Sequence, residues 1–144
     1  MKKSMHAPQV LNEPVKYVKP VSFSRGMRVD LGEWGILFIS GTASVDKHGK
    51  TVYRGDLLAQ SKRTFKNLTA LLKSEGASWH NVVKTTCFLK DMLNYDAFNE
   101  FRNRFYKDQG LKMFPASTCV EACLCRADLL VEVELIAIFK IKRK

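Results

Sequence analysis

The sequence predicts an α+β domain, a mixed β-sheet with two helices on one face, and three observations carry that prediction. Residues 129–139 read L-L-V-E-V-E-L-I-A-I-F. In a strand, alternate residues fall on opposite faces, so Glu132, Glu134, Ile136 and Ile138 share one face and Val131, Val133, Leu135 and Ala137 the other. Both faces are apolar for most of their length, which marks a central strand that needs cover on each side. Two segments carry helical apolar periodicity, and two helices can cover only one face of such a sheet. No other part of the chain is suited to cover the second face. The simplest cover is another copy of the chain in a closed symmetric assembly, with sites expected in clefts between subunits.

The chain has 144 residues, 46% of them hydrophobic. That is the size of one compact domain able to bury a core. No run of 18 or more apolar residues occurs, so no membrane-spanning helix is expected. Basic Met1-Lys2-Lys3 is not followed by an apolar stretch, which argues against a secretory signal and makes the cytoplasm the expected location. Cys87, Cys119, Cys123 and Cys125 contain no C-x-x-C pair, and His6, His48 and His80 lie far from them. No zinc spacing can be read, no metal or other cofactor is expected, and the cysteines read as reduced thiols. The net charge is +10. The basic residues are mostly dispersed, and only Lys140, Lys142, Arg143 and Lys144 cluster, as a solvated end does.

Taken in order, residues 1–16 hold Pro8 and Pro14 without periodicity and read as a loosely tied N-terminal arm, followed by a single domain over 17–144. Residues 21–31 and the apolar run 36–39 predict two adjacent strands separated by turn residues. Ser40, Gly41 and Thr42 end the second. The missing side chain of Gly41 either lets another backbone or a ligand come close or marks a bulge or bend with no ligand. Residues 46–50 form a polar turn on which His48 is exposed, and a short third strand is expected near residues 51–53. Residues 56–75 predict a helix, with Phe65, Leu68, Leu71 and Leu72 on one stripe and Gly76 at the cap. Residues 82–89, rich in β-branched letters, predict a strand. Residues 95–107 predict a second helix, whose stripe of Tyr95, Phe98, Phe101, Phe105 and Tyr106 reads as packing rather than as a base-stacking platform. Pro115 then turns the chain into an extended edge or turn before the last strand.

Several stretches also resemble one family. These are I-S-G-T at residues 39–42, A-Q-S-K-R-T-F-K-N-L at 59–68, V-V-K-T-T-C-F-L-K-D at 82–91, F-N at 98–99, F-P-A-S-T-C-V-E at 114–121 and V-E-V-E-L-I-A-I at 131–138. In order and spacing they are similar to the RidA/YjgF/YER057c/UK114 family, also labelled endoribonuclease L-PSP. The resemblance implies a chorismate-mutase-like subunit in a homotrimer with three interfacial clefts. It also implies an imine or enamine deaminase that hydrolyses reactive 2-imino acids. In that chemistry a guanidinium grips the substrate carboxylate while a second carboxylate positions or activates a water.

Carried onto this chain, the resemblance assigns the catalytic carboxylate to Glu132, the cleft cysteine to Cys119 and a cleft asparagine to Asn99. The family's carboxylate-binding arginine falls on Ser117, and Phe23 stands where deaminases commonly have tyrosine. Losing a charged hydrogen bond weakens transition-state binding by one to several powers of ten, so the ordinary deaminase activity is not expected unchanged. Arg25 shares a strand face with Phe23 and is the expected substitute grip. Three function classes follow: a hydrolase of imines or related small carbonyl or carboxylate compounds, a trimer that binds such a metabolite without turnover, and an RNA-binding or endoribonuclease-like protein. The last predicts steeply salt-dependent binding and comes behind the others, because no set of histidines or metal ligands for RNA cleavage is visible.

Overall fold

The computed structural model describes residues 1–142. Arg143 and Lys144, half of the basic terminal cluster, lie outside the described residues. Among those residues the chain forms a six-stranded sheet in the order β1-β2-β3-β6-β4-β5. Its strands are β1 (Lys2–Ser4), β2 (Gly26–Leu31), β3 (Trp34–Ala43), β4 (Val82–Leu89), β5 (Ala116–Glu121) and β6 (Val131–Lys140). Pairing is antiparallel except between β4 and β5, which a helix connects, as a parallel pair requires. That helix is α2 (Tyr95–Asp108); α1 (Leu57–Ser74) joins β3 to β4. The expected α+β class and the mixed sheet with two helices on one face are what the chain forms.

Central β6 alternates as its letters predicted. Val131, Val133, Leu135, Ala137 and Phe139 are buried beneath the helices, while Glu134 and Ile138 are exposed on the other face. Helix α1 starts where the Asp56 carboxylate accepts a hydrogen bond from Ala59 N at 2.9 Å, satisfying one of the donors a helix start leaves open. It ends before Gly76, whose φ of 74° suits a residue without Cβ. The aromatic stripe of α2 is packing: Phe101 and Phe105 meet the ring of Phe65 edge-on, at 5.1 and 4.9 Å between centroids.

Three expectations need correction. The N-terminal arm is not loosely tied: β1 adds an edge strand beside β2, and Met5, Ala7 and Leu11 lie in the core. Its apolar residues are spaced too irregularly to show a period, yet they fill the end of the sheet. The first full strand begins at Gly26 rather than Val21. The third strand expected near residues 51–53 is only a bridge between Val45 and Thr51, because Tyr53, at φ 62°, turns the chain away at once.

Candidate functional site

Strand β3 does not stop at Ser40. It continues to Ala43 through an irregularity between Ile39 and Thr42 in its pairing with β6. Such a bulge bends the strand and re-aims what lies beside it. Gly41 sits in the bulge, and the space its missing side chain leaves is taken by the Glu132 side chain rather than by another backbone: a Cβ on Gly41 would stand 2.6 Å from Oε1. The Glu132 carboxyl is thus half-buried against bare backbone. Burial and, secondarily, the charge of Glu134 push its proton affinity above the ordinary glutamate range.

A second cluster forms where α2 lies over β4 and β5. The Arg102 guanidinium donates to Ser117 Oγ and to Asn99 Oδ1, both at 2.9 Å, and approaches Cys87 Sγ at 3.7 Å. It also stacks over Phe98, 5.4 Å from the ring centroid. Asn99 and Arg102 are three residues apart on the helix and so share a face. Cys119 lies beside Cys87 in the parallel register. Burial, then the neighbouring Cys87, raises the Cys119 thiol above its usual range, which opposes thiolate formation.

Strand parity decides how these groups are related. Cys87 pairs with Val133 and with Cys119, and Thr85 pairs with Ser117, so Ser117 and Cys119 sit on the helix side of the sheet. Phe88 pairs with Glu132, one residue out of phase, so Glu132 sits on the open side. Ser117, Cys119 and Asn99 therefore come together, and Glu132 is kept from them by the thickness of the sheet. Phe23 is also on the open side, where it lines a groove of about 630 Å³ with Phe38, Lys84, Glu134 and Ile136. Arg25 is only 6% exposed. It donates to Asn12 O at 3.1 Å, Asn12 Oδ1 at 2.7 Å and the Tyr17 hydroxyl at 3.1 Å, and it stacks on Phe23.

Comparison with known proteins assigns the chain to a family. The endoribonuclease L-PSP family model matches residues 18–139. The chain belongs to that family. A RutC family protein of Synechocystis is 36% identical over 105 residues, covering 72% of this chain and 78% of the relative. The YjgF gene product of E. coli superimposes with a TM-score of 0.75 at 26% identity, covering 94% of this chain and 98% of its own. E. coli TdcF, solved with bound serine, superimposes with a TM-score of 0.77 at 23% identity, covering 96% and 99%.

Membership in the L-PSP family bears out the family resemblance of the quoted motifs, but one side chain of the cluster escaped sequence reading. Arg102 counts there as one of several dispersed helix cations. Its three-residue spacing from Asn99 was the available signal. That it reaches Ser117, fifteen positions on and in another element, depends on how α2 packs. The open face, meanwhile, keeps large apolar surface in water: Phe38 is 45% exposed and Ile138 38%. Among the described residues, no helix is long and apolar enough to cross a membrane.

Proposed function

We propose that this L-PSP family chain acts as a homotrimer whose interfacial clefts hydrolyse small imines or enamines bearing a carboxylate. The observation that carries the reading is the split of the site across the sheet. Glu132 and the Ser117–Cys119 edge occupy opposite faces, so they can meet only between copies, with the β5 edge of one chain against the open face of the next. The exposed apolar side chains of that face support such packing, since a second copy would withdraw them from water. TdcF, solved with bound serine, illustrates that the fold can hold a small amino acid.

In the cleft, Glu132 takes a proton from water as its oxygen bonds to the imine carbon and the C=N π pair moves to nitrogen. It then returns a proton to nitrogen. Glu132 then takes the hydroxyl proton of this carbinolamine as C=O forms and passes it to the nitrogen, so that the C–N bond breaks and ammonia leaves. A carboxyl with raised proton affinity suits both transfers, because general catalysis is best when the group's pKa lies near the working pH. Cys119 serves by lining the cleft; its raised thiol pKa disfavours a role as nucleophile.

The test is a coupled assay in which a dehydratase generates 2-iminobutanoate from threonine and ammonia release is compared with the spontaneous rate. The wild-type protein is expected to accelerate release, and Glu132→Gln to lose about 10²- to 10⁴-fold of the acceleration. A rate equal to the spontaneous one, with saturable binding of 2-oxobutanoate, would move the conclusion to a binding trimer. A monomer at micromolar concentration would remove the cleft altogether.

A further inference from the structure

We infer that Arg102, reaching across from α2, is the anion-gripping residue of the cleft, standing in for the arginine that the resemblance implies at Ser117. The inference rests on the cleft reading above and identifies the group that selects a carboxylate there. The hydrogen-bond partners of Arg102 are a hydroxyl, an amide oxygen and a thiol sulfur, with an aromatic ring below. None carries a charge, and the guanidinium is half-buried. A cation held by neutral acceptors is oriented without being neutralised, so it retains its attraction for an anion.

Other arginines are committed elsewhere. Arg28 is paired with Asp30 and Glu75, Arg54 with Asp128 and Arg104 with Glu100. Arg25 and Arg126 share the Tyr17 hydroxyl, and Arg63 donates to Val10 O. Arg102 alone among them bonds both Ser117 and Asn99, the two polar side chains the motifs assign to the substrate on this side of the sheet.

The local chemistry explains why the exchange is workable. Ser117 is short and exposed on β5, so it leaves unfilled the volume a long side chain would take from that strand. Its hydroxyl can accept from Arg102 at the same place. The guanidinium thus arrives from the helix instead of the strand, and the Ser117 and Asn99 oxygens together with the Phe98 ring fix the plane of its fork. An oriented fork favours a planar carboxylate over an uncharged amide of the same shape.

Calorimetric titration of the wild-type trimer with 2-oxobutanoate and with 2-oxobutanamide tests this, with oligomeric state and thermal melting checked for each variant. Wild type should prefer the carboxylate by about ten- to a hundredfold, the worth of hydrogen bonds to a charged group. Arg102→Gln should abolish the preference, and adding Ser117→Arg to that variant should restore it, because the charge returns to the same place by the other route. If Arg102→Gln does not fold, Arg102→Lys serves: it keeps the charge but loses the fork, and the preference should fall severalfold. A preference that survives Arg102→Gln, stays whole in Arg102→Lys, or is lost only in Arg25→Gln overturns the assignment of Arg102 and leaves the cleft standing. Wild-type protein that binds neither compound overturns both.

Discussion

Replacing Gly41 with alanine probes the close approach of the Glu132 carboxyl to bare backbone. The new Cβ would stand 2.6 Å from Oε1, 2.9 Å from Cδ and 3.3 Å from Cγ, whereas ordinary contact begins at 3.4 Å. The carboxylate must therefore retreat by about 0.8 Å, the difference between 3.4 and 2.6 Å. The obstructing atoms are the far end of a flexible side chain, so stability should fall by less than about 1 kcal/mol. Turnover should fall much further, because misplacing a reacting group by about 1 Å can cost on the order of a hundredfold. Ammonia release gives the rate and urea unfolding gives the stability. A double-mutant cycle with Glu132→Gln identifies the route: once the carboxylate is gone, Gly41→Ala should cost nothing more. Unchanged turnover in Gly41→Ala, or an equal loss in the Glu132→Gln background, would refute the argument that this glycine acts by making room for Glu132.

Further outcomes can be checked separately. Glu132 in the folded chain holds its proton more tightly than in the unfolded chain, so its contribution to stability is fully present below the unfolded pKa and is lost as pH rises toward the folded one. Glu132→Gln should therefore stabilise the protein at neutral pH in thermal melts, and the gain should vanish below about pH 4. Buried Gln60 donates to Tyr53 O and Asp128 O and accepts from Leu130 N. Gln60→Leu leaves these backbone groups without it and should cost about 2–4 kcal/mol in urea unfolding. Phe38→Asp sets a charge on the open face, which should cost about 3–5 kcal/mol at a desolvated interface. Light scattering should then report monomers with unchanged far-ultraviolet dichroism.

Much of the fold was readable because local chemistry and global burial agree along most of the chain. The alternation of β6, the stripe and cap of α1 and the aromatic face of α2 each follow from a repeat within a single segment. The N-terminal arm was misread because its buried residues, Met5, Ala7 and Leu11, follow no period and owe their burial to a sheet end formed far along the chain. The bulge at Gly41 was visible only as one of two options. That its neighbour is the Glu132 side chain depends on register between β3 and β6, which no single segment contains.

By itself, the sequence determined the fold class and which family the motifs resemble, since periodicity and motif letters are properties of short segments. Tertiary structure alone decided the arrangement of the site residues. Pairing phase puts Glu132 on one side of the sheet and Ser117 and Cys119 on the other, and the packing of α2 brings the Arg102 guanidinium to Ser117. The reason is geometric: a strand's alternation separates its own neighbours by face, but which face meets which partner is set by strands and helices distant in sequence.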